Sequence, residues 1–300
     1  FLLRFIKKIT RIRRFFCTFA RIKINIMKAK KVLFINQEIT PYVPESEMSN
    51  LGRQIPQIIQ EKGYEIRTFM PKWGNINERR GQLHEVIRLS RMMLIIDETD
   101  HPLIIKVASI PATRIQVYFI DNEDYFTKRL MAKDENGVEY DDNGERAIFF
   151  ARGVLEIVKK LRWTPDVIHC QGWMCSAIPL YVKTAYREEP SFANTKVVTS
   201  LFSEELKGGL GEKFKDSIAF RDVKSDILDN YNKDFSFMDL EKLAIDYSDG
   251  IVKVGADVNP EIIKYATEKG LPVISHPEKE EDICQTYQEF YDKIFDSISE

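Results

Sequence analysis

Between residues 31 and 275, short apolar runs alternate with stretches whose apolar residues recur every three or four positions. KVLFIN (31–36) is followed by Met48, Leu51, Ile55, Ile58 and Ile59, a helical spacing that Gly63 is placed to close. YEIRTFMP (64–71) predicts a second strand. LHEVIRLS (83–90), PLIIKVASI (102–110) and IQVYFID (115–121) then follow with no helical stretch between them, which predicts antiparallel pairing. DDNGERAIFFARGVLEIVKKL (141–161) predicts a long helix with Asn143 as N-cap, Glu145 near its positive end, and Ile148, Phe149, Val154, Leu155 and Val158 buried.

DVIHC (166–170) carries no charge after Asp166, as a central strand should. A helix through SAIPLYVKTAY (176–186) and a strand over KVVTSLF (196–202) come next. MDLEKLAIDYS, GIVKVG, NPEIIKYATEKG and LPVIS then read helix, strand, helix, strand. The βαβ order implies an α/β fold: a doubly wound, mostly parallel sheet with helices on both faces and a small antiparallel insertion. In the acidic end (277–300), Ile283, Tyr287, Phe290, Ile294 and Ile298 form one amphipathic stripe. It must cover either the domain's own sheet or another chain.

Three hundred residues, 44% of them hydrophobic, can bury a sizeable core. The net charge of −2 hides an asymmetry, because residues 1–26 hold eight Lys or Arg and no acid; the rest carries −10, that is −2 less 8. An acidic body argues against nucleic acid as a ligand. The basic leader (1–26) reads as a membrane-surface helix, a signal peptide, or sequence ahead of a natural start at Met27; the last is favoured and the leader is set outside the fold. The main domain is then 27–276 and the terminal helix 277–300. Cys17, Cys170, Cys175 and Cys284 are too scattered for a disulfide framework or a zinc site, and no apolar run is long enough to span a membrane. A reduced, cytoplasmic setting with no metal and no cofactor is expected.

The chemistry-bearing residues are sparse. The turn from Ile39 to Asn50, after the first strand, contains no glycine, and no G-x-G-x-x-G follows any strand, which disfavours a dinucleotide oxidoreductase. KGGLGEK (207–213) reads as a loop. Asp141, Asp142 and Glu145 read as helix-entry capping rather than acid–base machinery. His169 reads as a satisfied core histidine, and His84, His101 and His276 as isolated. Trp73 and Trp163 read as packing residues, whereas Trp173 sits where it could stack on a sugar.

Four stretches carry a resemblance: KVLFINQEITPYV with RQIPQIIQEKGYEIRTFMPKWG; VYFIDNEDYF with GVEYDDNGERAIFFARGVLEIV; PDVIHCQGWMCSAIPLYVKTAY; and DLEKLAIDYSDGIVKVGADVNPEI. In order and spacing they resemble the N-terminal catalytic domain of bacterial glycogen and starch synthases, GT-B glucosyltransferases. The resemblance spans about residues 31–275. It implies transfer of glucose from ADP-glucose to an α-1,4-glucan, with Glu38, Asn122, Tyr125, Gln171 and Trp173 as the sugar-facing positions.

The departures from that family are chemical. Its Lys-Thr-Gly-Gly-Leu turn corresponds to Pro44, Glu45, Ser46, Glu47 and Met48, which removes the phosphate-facing lysine and glycines and adds carboxylates. Its His-Asp-Trp-His-Thr turn corresponds to Gln171, Gly172, Trp173, Met174 and Cys175; Gln171 can hydrogen-bond a hydroxyl but carries no proton. Its Thr-Ile-His-Asn turn corresponds to Ser200, Leu201, Phe202 and Ser203, and its Asp-His pair to Asp121 and Asn122. The family places its donor nucleotide on a second domain of roughly 150–200 residues, and only 25 residues follow Ser275 here. The expectation is a transferase domain that is inactive alone, or one that depends on a separate GT-B donor domain or synthase subunit. The alternative is a non-catalytic α-glucan-binding or regulatory protein.

Overall fold

A computed structural model describes residues 30–204, 206–208, 210, 214–231 and 235–296. The basic leader, Ile298 of the terminal stripe and part of KGGLGEK lie outside the described residues. The described residues from Lys31 onward form one compact unit.

Ten strands build the sheet: β1 (Lys31–Asn36), β2 (Glu65–Pro71), β3 (His84–Glu85), β4 (Met92–Ile96), β5 (Thr99–Ser109), β6 (Gln116–Asp121), β7 (Val167–Gln171), β8 (Lys196–Leu201), β9 (Gly250–Lys253) and β10 (Val273–Ser275). Their order is β10-β9-β8-β7-β1-β2-β6-β5-β3, with β4 paired to β5. The pairings from β10 through to β6 are all parallel, and β5 pairs antiparallel with β3, β4 and β6. Chain order therefore reverses direction between β1 and β7.

The longer helices among the described residues are α1 (Glu47–Glu61), α2 (Asn143–Lys160), α3 (Ala177–Lys183), α4 (Phe237–Asp246), α5 (Pro260–Glu268) and α6 (Glu280–Asp296). Two start on reciprocal caps, Ser46 with Ser49 on α1 and Ser236 with Asp239 on α4, while Asn259 caps α5 ahead of Pro260. Side-chain alternation splits the core. Leu33 and Ile35 of β1 pack with α2, α3 and α4, while Val32 and Phe34 pack with α1 and α6.

On the second face, Ile283, Tyr287, Phe290, Tyr291 and Ile294 of α6 lie against Val167, Val198 and Val252. The stripe covers the domain's own sheet. Gly250 makes the approach close enough, since a Cβ there would sit 2.8 Å from Phe290 Cζ.

Three sequence readings need correction. Asn143 is the first residue of α2 and not its cap; the flanking residue is Asp142, which makes no side-chain cap bond. Asn143 instead donates to the Ala132 carbonyl and accepts from Arg146. LHEVIRLS supplies only the two-residue β3, and MMLII forms the strand β4, which the pattern did not predict. The helix expected through SAIPLYVKTAY spans only Ala177–Lys183.

Candidate functional site

Ligands of open α/β sheets bind beyond the carboxyl ends of the strands, where chain order reverses. Here that point lies between β1 and β7. The Gln37 amide donates to the Gln171 carbonyl at 3.0 Å, tying the two strand ends together. Gly172 then turns the chain with φ 89° and ψ 162°, a conformation open essentially to glycine alone. A Cβ on Gly172 would stand 2.7 Å from Gln37 Cβ.

Gln37 organises the floor of the site. Its Oε1 accepts from the Met174 amide at 3.2 Å, and its Nε2 donates to Glu204 Oε1 at 2.9 Å. The Trp173 amide donates to Glu204 Oε2 at 3.3 Å. Glu38 faces the same space and accepts from Ser46 Oγ at 2.7 Å. These residues bound two adjoining cavities. One of about 510 Å³ is lined by Gln37, Glu38, Lys133, Trp173, Glu204 and Leu206. A larger one of about 890 Å³ shares Glu204 and Leu206 and adds Phe202, Phe237, Glu241 and Asp257.

Carboxyl groups dominate the electrostatics. Burial is the first cause that pushes Glu204 up to about 7, with Glu38 adding to it and the bond from Gln37 opposing it. Burial and the neighbouring Glu204 carboxylate likewise push Glu241 up to about 7. Two acids titrating near neutrality share one cavity wall.

Of the five positions implied by the family resemblance, the structure brings Glu38 and Trp173 to the cavity. Trp173 is only 4% exposed and packs in the core, so it has almost no ring face to offer a sugar. Gln171 is fully buried on the sheet face that carries α1 and α6, beside Asn36, which donates to the Gly52 carbonyl of α1. Neither amide atom of Gln171 meets a hydrogen-bond partner among the described residues. Asn122 is also fully buried; its Oδ1 accepts from the Asp124 and Tyr125 amides and its Nδ2 donates to the Pro102 carbonyl, a structural role.

Tyr125 is 3% exposed, and its hydroxyl donates to Glu145 Oε2 at 3.1 Å and lies 3.0 Å from His101 Nε2. His101 is therefore not isolated; its Nδ1 also lies 3.4 Å from Asp124, off the axis of a hydrogen bond. His276 is not isolated either, with Nδ1 2.9 Å from the Tyr287 hydroxyl. The acids at the start of α2 are held by side chains rather than by the helix end, Asp142 by Arg129 at 2.6 Å and Glu145 by Tyr125. Arg146, fully buried, donates to the carbonyls of Tyr125, Leu130 and Met131 and thereby fixes the loop that leads to Lys133. His169 is a core histidine, with Nδ1 2.8 Å from the Tyr291 hydroxyl and Nε2 2.7 Å from Ser200 Oγ; burial pushes it down to about 3.

At the start of α1, Ser46 Oγ accepts from the Ser49 amide at 2.9 Å, and the Ser46 carbonyl accepts from the Asn50 amide at 3.0 Å. The Ser46 and Ser49 amides are satisfied by each other's hydroxyls, and Glu47 stands in the first turn. The Glu47 carboxylate opposes a diphosphate there. Among the described residues no group of His, Cys, Asp or Glu is arranged to hold a metal ion. None of the described helices is long and apolar enough to cross a membrane.

Sequence reasoning missed Gln37, Glu204, Glu241 and Asp257. The usable signal for the first two is positional, since both fall just beyond parallel strands.

The sheet order and a crevice at the reversal define a Rossmann-like domain of the GT-B glycosyltransferase kind. A family profile described as the starch synthase catalytic domain matches residues 31–274. A glycogen synthase of Chlorobium limicola is 34% identical over 235 residues, covering 76% of this chain and 48% of that protein. A glycogen synthase of Chlorobium luteolum is 39% identical over 181 residues, covering 60% of this chain and 37% of that protein. The catalytic domain of Starch Synthase IV from Arabidopsis thaliana, solved bound to ADP and acarbose, superposes with a TM-score of 0.63 at 15% identity, over 83% of this chain and 51% of that one. The chain belongs to the starch synthase catalytic domain family. It spans less than half the length of these curated relatives.

Proposed function

We propose that this domain supplies the glucan-facing half of a glucosyltransferase site, and that ADP-glucose is engaged only when a second GT-B domain closes over the crevice. The single observation that carries this reading is the chemistry at the reversal point. Polar groups suited to hydroxyls, those of Gln37, Glu38 and Glu204, line the cavity, while the start of α1 is self-capped and flanked by carboxylates. A departing diphosphate needs cations or free amide donors, and electrostatic stabilisation of that kind is usually the largest catalytic contribution. At this helix start the cap is the Ser46 hydroxyl and the first-turn side chain is the Glu47 carboxylate, not a cation. A sugar needs fixed hydrogen-bonding groups, and Glu38 and Glu204, the latter oriented by the buried Gln37 amide, provide oxygens for its hydroxyls.

Incubation of the purified chain with labelled ADP-glucose and glycogen, with and without the donor domain of a complete synthase, tests the proposal. The expected result is co-sedimentation with glycogen in both cases and glucose incorporation only when the donor domain is added. Incorporation by the chain alone refutes the argument from missing positive charge. Absence of co-sedimentation refutes the glucan assignment.

A further inference from the structure

Glu241 lies on α4 and projects into the 890 Å³ cavity, yet the residue is nine-tenths buried. No hydrogen bond or ion pair reaches its carboxyl among the described residues; burial and the repulsion of Glu204 are what act on it. A buried carboxylate is costly unless a proton or a cation compensates it.

The surroundings supply no compensation. Glu204, Glu241 and Asp257 line the cavity and Lys207 is its one cationic side chain among the described lining residues. Lys207 is exposed, with its backbone amide donating to Glu139 at 3.0 Å. Asp239, in the first turn of α4, is engaged with Ser236. Glu38 adds further negative charge beside Glu204. The remaining wall is mixed: Phe202, Leu206, Phe237 and Met238 are apolar, and Ser203 and Asn259 are neutral hydrogen-bonding groups.

From this arrangement we infer that the cavity between β8, β9 and α4 binds a protonated primary amine carried on a hydroxylated ring, a ligand of the hexosamine class. An ammonium group has three donors and no acceptor, the complement of two carboxylates. Glu241 contributes a carboxyl with no other engagement. Glu204 contributes oxygens already oriented by Gln37 and the Trp173 amide. The apolar wall suits the CH face of a sugar ring, and the cavity volume falls within the ordinary range for a small-molecule site. A neutral hexose offers neither carboxyl a counter-charge, and an anionic sugar would add negative charge to the wall. The site shares Glu204 with the glucan assignment, but Glu241, on α4, lines only the larger cavity, so the Glu241 variant separates the two.

Titration calorimetry with D-glucosamine and D-glucose, on the purified chain and on Glu241→Gln, tests the inference at neutral pH. D-glucosamine is expected to bind at least tenfold more tightly than D-glucose. Its binding should also release protons, seen as a heat that changes with the ionisation enthalpy of the buffer, because the ammonium displaces the proton that Glu241 otherwise retains. Glu241→Gln should lose the preference and the proton release while unfolding cooperatively at or above the parental midpoint, which separates lost recognition from lost folding. Equal affinity for the two sugars overturns the inference. So does an unchanged preference in the folded variant, or glucosamine binding with no proton release.

Discussion

Replacing Glu241 by glutamine removes an ionisable group from the cavity wall while preserving its size. In the folded chain the carboxyl is held at about 7, against an ordinary 4.5. At about 1.4 kcal/mol per pH unit, ionising it in place costs about 3 kcal/mol more than ionising it in the unfolded chain. The sign follows from proton binding. Between pH 4.5 and 7 the folded state holds a proton that the unfolded state has released, so stability falls as pH rises through that window and is level above it. Glutamine carries no such penalty. The variant should therefore be more stable than the parent at about pH 8, by up to about 3 kcal/mol, and within about 1 kcal/mol of it at about pH 5. In urea the gain corresponds to a midpoint shift of roughly 1 M, and on heating to roughly 6–12 °C. Paired urea titrations at the two pH values provide the readout. A difference of the same size at both, or a variant that is less stable at the higher pH, refutes the view that Glu241 is an uncompensated buried acid. Because Glu204 is one of the two causes acting on Glu241, Glu204→Gln should narrow the gap between the two pH values.

Gly172→Ala should cost about 2–4 kcal/mol, since alanine avoids the backbone conformation found there and its Cβ would collide with Gln37. Denaturant midpoints within experimental scatter of the parent would show that the turn between β7 and α3 is not the constraint described. Phe290→Ala should lower stability by about 3–5 kcal/mol, as expected for an aromatic ring removed from a core, and Phe290→Asp should lower it further. A Phe290→Asp chain that unfolds at the parental midpoint contradicts the packing of α6 on the domain's own sheet.

The parallel part of the fold was legible because burial on both faces removes charge from the strands. DVIHC and KVVTSLF show this directly, and His169 could be read as a core residue for the same reason. The antiparallel part was not legible. The β4–β5 hairpin turns on Asp97 and Glu98, with φ of 47° and 62°, and Arg91 enters β4 at 66°. Hairpins of this kind are recognised by Asn-Gly or Asp-Gly pairs, and here ordinary residues adopt the left-handed conformation. The start of α2 was misread for a related reason. Asn143 is a favoured capping residue by type, but the loop fixed by Arg146 gives its side chain other partners.

The site was less legible than the fold because its central pair lies 167 residues apart in the chain, Gln37 on one side of the reversal and Glu204 on the other. Backbone pairing, as in the bond from the Gln37 amide to the Gln171 carbonyl, places these strand ends together whatever side chains follow them. The scaffold can therefore persist whatever residues stand just past each strand. In this chain carboxyl groups gather past the strand ends: Glu204 beyond β8, Asp257 beyond β9 and Glu241 on the adjoining α4, while Glu47 stands at the start of α1. An isolated surface acid would mean little. Three acids on one cavity wall, two of them held near neutrality by burial, set this cavity apart from one built for an anion.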